Sequence, residues 1–251
     1  MAEDENEQST FTKPGFIAGA GLVAVLIIAG IVLTVVNVVG GGEGDADVDY
    51  PGASSSTSAS PAPTAEPTAD AGGASVCGLG GVELNGTVTT APETQWQYQD
   101  VYSYPSAEGI GPAETAPEGY RYCYQHSPDG ALFAASNFAI QSFATTGRSA
   151  WLDYVVSDGT YRDDLLASDQ GSSDEDVRAT IAGFRVLAYE GATARVDVAY
   201  RATLEGQVVY GSLVADMVWA DGDWKLNADV DNPARITQLP DLSGYTSWTE
   251  G

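Results

Sequence analysis

Hydrophobic and polar positions change character along the chain, first from polar to wholly apolar. No charge occurs from Pro14 to Gly42, and Phe16 to Val39 is almost entirely apolar. As a helix those residues rise about 36 Å at about 1.5 Å each, enough to cross a hydrocarbon core of about 30 Å. Lys13 is the sole basic residue before Arg121, which by the positive-inside rule places the N-terminus in the cytoplasm. The apolar run exceeds a signal-peptide core and lacks a small-residue cleavage site, so it reads as an uncleaved anchor. The expected layout is a cytoplasmic tail at 1–14 and a transmembrane helix at 15–40 in the cell membrane. A disordered linker at 41–75 and an extracytoplasmic domain at 76–251 follow.

The linker is built from Gly, Ser, Thr, Ala, Pro and Asp, with only Val48 and Tyr50 as larger apolar groups. It cannot bury enough surface to fold, and about 35 flexible residues span about 30–35 Å. Beyond it, Val82–Thr90 reads as a short strand inside a loop-rich stretch. Pro92, Pro105, Pro112 and Pro117 punctuate that stretch, with Trp96, Tyr98, Tyr102 and Tyr104 between them. Ser127-Pro128-Asp129 is a helix start, with an N-cap serine, proline in the first turn and an early acid. It opens a buried helix carrying Leu132, Phe133, Phe138, Ile140 and Phe143. Further helices are expected over Ser149–Val156 and Tyr161–Ala167.

From Ala179 the period becomes two. Phe184, Val186 and Ala188 form one alternating row. Val196, Val198, Tyr200, Ala202 and Leu204 form the next, then Val209 to Trp219, then Trp224, Leu226, Ala228 and Val230. The breaks Glu190-Gly191, Glu205-Gly206 and Asp221-Gly222 are hairpin signals. The expectation is an α+β domain: helices packed on a curved four-stranded antiparallel meander, followed by an irregular tail from Asn232 to Gly251.

Charge narrows the partners. The chain carries −25, and residues 76–251 hold 25 Asp/Glu against 9 Lys/Arg. Such a surface repels phosphate backbones, which argues against nucleic acid and against anionic headgroups. The remaining expected contacts are the membrane, through residues 15–40, and protein partners. The pairs Gly15/Gly19 and Ala20/Ala24 would let two anchors approach closely, so a homo-oligomer stays open.

Cys77 and Cys123 are the two cysteines, both on the far side of the span, and are expected to form a disulfide. Closing that loop is worth about 4 kcal/mol on chain-entropy grounds. The one histidine, His126, lacks the companions of a zinc site, and no serine sits in a nucleophile elbow. Asp169–Asp176 lacks the ligand spacing of an EF-hand loop. Asp197, Asp216 and Asp229 lie on predicted strands, where only an apolar pocket would make one a general base. No catalytic, cofactor-binding or metal-binding residue is assigned, no cofactor is expected, and the expectation is a protein that is not an enzyme.

Helices before a long meander, over about Pro128–Val230, resemble the cone-shaped nuclear-transport-factor-2-like, or cystatin-like, superfamily. Tail, anchor, linker and cone together resemble inner-membrane scaffold proteins of type IV secretion and conjugation systems. The stretches Cys77-Gly78-Leu79-Gly80-Gly81 and Tyr122 to Leu132 are similar to uncharacterised actinobacterial single-pass membrane proteins associated with integrated mobile elements. The resemblance implies a membrane-anchored scaffold or assembly protein, and carries no catalytic residues. The alternative is a surface binding module for a cell-wall glycan or peptide, using the aromatic loops.

Overall fold

A computed structural model describes residues 73–144, 147–168, 178–204 and 206–250. The tail, the apolar span at 15–40, the linker as far as residue 72 and the acidic run at 169–176 lie outside them. Among the described residues no helix is long and apolar enough to cross a membrane.

The domain is arranged around α1 (Pro128–Gln141), of which every residue except Asp129 is buried. Ser127 is extended and its Oγ accepts from the Gly130 N–H at 3.0 Å, while Pro128 occupies the first turn. Gly130 is required by a close approach, since a Cβ there would lie 1.8 Å from the Gln125 carbonyl oxygen. A helix apolar on all sides must be covered on all sides, and two sheets do this.

On one side lies a six-stranded antiparallel sheet. Its body is β5 (Arg178–Tyr189), β6 (Thr193–Leu204) and β7 (Gln207–Ala220). The inner face sets Phe184, Val196, Val198, Leu213, Ala215 and Met217 against the helix, each 2 % exposed or less. Burying a large apolar side chain of this kind stabilises by about 1.5–3 kcal/mol. On the other side lies a hairpin of β1 (Gln95–Gln99) and β2 (Tyr102–Ser106). Asn137 Nδ2 of α1 donates to the Pro105 carbonyl at 3.0 Å and ties the hairpin down. Trp248 closes the seam: its ring centroid lies 5.6, 5.2 and 5.5 Å from those of Trp96, Phe133 and Phe184. A small ribbon of β3 (Glu114–Thr115) and β4 (Arg121–Tyr122) leads into Cys123. The helices α2 (Arg148–Val155) and α3 (Arg162–Ser168) follow α1.

This architecture corrects the expected one. Strand outweighs helix among the described residues, 40 % to 18 %, and the main sheet has six strands, so the four-stranded cone-shaped meander is wrong. Unpaired edges explain the difference. β8 (Asp223–Leu226) has 4 residues and β7 has 14, so β8 covers only the C-terminal end of the β7 edge. A further stretch of that edge, Tyr210 to Ala215, is paired by β9 (Ala234–Leu239). The free edge of β5 is met by β10 (Thr246–Ser247). Both added strands come from the tail expected to be irregular. Exposed backbone donors and acceptors on sheet edges favour such pairing, and nothing in local alternation announces it. Val82–Thr90, expected to be a strand, forms none.

Candidate functional site

The face of the main sheet turned away from α1 carries an ordered set of charges. Cross-strand pairing sets Arg185 opposite Asp197, Arg195 opposite Asp216, and Arg201 opposite Tyr210. Arg178 opposes Thr203, and Arg235 on β9 opposes Val214. Because paired residues share a face, all five arginines project from the same side. Both carboxylates are buried beneath them: the Asp197 side chain is 1 % exposed and that of Asp216 9 %, whereas Arg185, Arg195 and Arg235 are 42, 50 and 39 % exposed.

Asp197 is the more enclosed of the two. Arg185 donates to its Oδ2 through Nε at 3.1 Å and through Nη2, and the Tyr245 hydroxyl donates to the same oxygen at 2.9 Å. Ser212 Oγ donates to Oδ1 at 2.7 Å. The hydrogen bond to Asp197 raises the Arg185 pKa still further, so its charge is permanent. The Arg185 guanidinium lies 4.1 Å from the centre of the Tyr245 ring. Tyr245 reaches this position because Gly183 has no side chain; a Cβ there would lie 2.8 Å from the Thr246 carbonyl oxygen. Asp216 is shared: Arg195 Nε reaches Oδ1 at 2.5 Å and Arg235 Nη1 reaches Oδ2 at 2.9 Å. A buried carboxylate that accepts several hydrogen bonds fixes the guanidiniums around it. Chemically, the face can bind anions through charge and N–H donors.

A third buried acid, Asp223, holds the fold together. Its Oδ2 accepts from Cys123 N at 2.7 Å and the Tyr154 hydroxyl at 2.8 Å; Oδ1 accepts from Tyr124 N at 2.9 Å and Trp224 N at 3.0 Å. Burial raises its pKa against the pull of these donors, and the same burial raises that of Tyr154. Arg121, buried and with its pKa lowered by that burial, donates to Asn137 Oδ1 at 2.7 Å and to Gln99 Oε1. It also lies 3.9 Å from the Tyr104 ring centre. Arg121 and Asp223 line a cavity of about 10 Å³, room for roughly one water.

His126 is buried, stacked on Trp219 at 4.0 Å, with Nε2 2.9 Å from the Gly191 carbonyl oxygen. Among the described residues no group of three His, Cys, Asp or Glu side chains could hold a metal ion. Asp229 is on the surface, where the Thr160 N–H and hydroxyl donate to it and lower its pKa.

Cys77 and Cys123 form the disulfide, with Cα atoms 6.0 Å apart. Ser75 Oγ lies 3.3 Å from Cys123 Sγ, and Val76 N donates to the Gly222 carbonyl at 2.8 Å, so the chain is docked before the first cysteine. The two stretches singled out around these cysteines meet, Gln125 Nε2 donating to the Gly80 carbonyl at 2.9 Å. Of the four aromatics weighed as a binding surface, Tyr104 is buried, Trp96 and Tyr102 pack against the core, and Tyr98 stays exposed.

Sequence reasoning missed the arginine face as a unit. Its trace was present in the row Arg195, Asp197, Ala199, Arg201, the polar half of one alternating strand. That row does not show which residues of β5, β7 and β9 stand beside it. No curated protein and no solved structure matches the chain. Residues 56–247 match a domain of unknown function, DUF8175, and the chain belongs to that family.

Proposed function

We propose that this protein is a membrane-anchored extracytoplasmic scaffold or assembly protein that docks another protein on its folded domain. The assembly to test first is a conjugation or type IV secretion apparatus. The observation that carries the reading is the outer sheet face, where half-exposed arginines are held in place by buried Asp197 and Asp216. Fixed charge on a sheet is suited to holding a partner in one orientation. Two further features support the reading. The charge-free run at 15–40 is long enough to anchor the chain. The Cys77–Cys123 disulfide suits the oxidising side of a membrane.

The test has two parts. Membrane-impermeant thiol labelling of single cysteines at Ser9 and Ser173, read in intact cells, should modify Ser173→Cys and spare Ser9→Cys. Deletion of the gene in a transfer-competent host should lower DNA transfer, with restoration by the intact gene. Labelling of both positions, or of neither, refutes the topology. Unchanged transfer removes the conjugation assignment.

A further inference from the structure

We infer that the outer face of the main sheet docks a short acidic segment of a partner polypeptide, an inference that rests on the scaffold reading above. Residues 76–251 carry 25 acids and 9 bases. Five of those bases, Arg178, Arg185, Arg195, Arg201 and Arg235, share this one face with the paired acids Asp197 and Asp216. A domain of charge −16 therefore presents a patch of +3. Charges farther off than about 8–10 Å are screened at physiological salt, so a ligand on the patch feels mainly the arginines.

The patch is also pre-ordered. Arg195 gives Nε to Asp216, leaving both terminal amino groups with no partner among the described residues. Arg235 gives Nη1 to Asp216 and to the Asn232 carbonyl, leaving Nη2. Arg201 is exposed and makes no ion pair among the described residues. The face is thus supplied with guanidinium donors already oriented for planar carboxylates.

Spacing and extent favour a peptide. Arg185 and Arg235 stand on strands three ladder steps apart, about 14 Å, and Arg195 and Arg201 are six residues apart on β6, about 20 Å. An extended peptide repeats its same-face side chains about every 7 Å, so it can meet these arginines with alternate acids. A long phosphate polymer carries charge continuously and would run beyond the patch onto acidic surface. A second copy pairing through the same face would set +3 against +3. A short acidic stretch of another protein ends where the patch ends.

The test uses the full chain in detergent micelles with fluorescent hexaglutamate, read by anisotropy at about 0.15 M salt. Hexaglutamine and inorganic polyphosphate serve as competitors. The variants are R201Q, which removes no ion pair among the described residues, and R195Q/R201Q. R162Q makes the same single charge change away from the face. Hexaglutamate is expected to bind wild type, with about tenfold weaker binding in R195Q/R201Q, a smaller loss in R201Q, and R162Q within about twofold. No binding, or equal loss in R162Q, overturns the inference. Stronger competition by polyphosphate overturns it in favour of a phosphate polymer. Arginine-dependent self-association in sedimentation overturns it in favour of a second copy. Cross-linking in cells separates the two levels: partner adducts that persist in R195Q/R201Q refute the acidic segment and leave the scaffold reading standing. Absence of any adduct in wild type refutes both.

Discussion

Replacing Asp223 by asparagine removes one charge and exchanges one oxygen for an NH₂ group, at nearly constant volume. The remaining oxygen can keep the Tyr124 and Trp224 N–H groups, both of which bond the same atom. The new NH₂ faces the Cys123 N–H and the Tyr154 hydroxyl. The hydroxyl can turn and accept; the backbone N–H cannot. One buried donor is left unpaired, at about 1–3 kcal/mol. For a domain of this size that lowers Tm by about 2–12 °C. Asp223→Ala would strand three backbone donors at once and is the harsher change.

The same site has a pH signature. Burial raises the Asp223 pKa, and its hydrogen bonds only partly offset that. The folded chain therefore keeps this proton at pH values where the unfolded chain has lost it. The contribution to stability is complete below the unfolded-state pKa and is lost as pH rises through the folded-state value. Asparagine abolishes that dependence, so the gap between wild type and variant should be widest at the acid end and narrow as pH rises. Urea unfolding followed by tryptophan fluorescence, repeated across mildly acidic and neutral pH, measures it. A midpoint unchanged from wild type, or a gap that widens with pH, refutes the reasoning.

Three other outcomes follow from the geometry. Converting Cys77 and Cys123 to serine should cost about 4 kcal/mol, read as a lower urea midpoint that matches wild type under reductant. Gly130→Ala drives a methyl into the Gln125 carbonyl and should cost about 2 kcal/mol or more, whereas Gly80→Ala, with open space around it, should lie within about 0.5 kcal/mol of wild type in thermal melts. Trp248→Ala removes contacts to three rings and the 2.8 Å hydrogen bond from Nε1 to Thr94 Oγ1, so it should cost about 3–5 kcal/mol and weaken hydrogen-exchange protection along β5.

What could be read from residues alone was local. Ser127, Pro128 and the apolar run after them determined where α1 begins, because a cap and a first-turn proline act within one turn. Alternation and the glycine turns located the segments that became β5 to β8, since both signals lie inside a strand or between two neighbours. The disulfide followed from two cysteines on one side of the apolar run. Tertiary structure alone decided the rest. β9 and β10 exist because β8 is too short for β7 and because β5 has a free edge, conditions set by other parts of the chain. Asp197 and Asp216 looked like ordinary strand carboxylates until pairing laid Arg185, Arg195 and Arg235 over them. A charge's role depends on its neighbours across the ladder, and register is settled only when the whole sheet and its helix pack together.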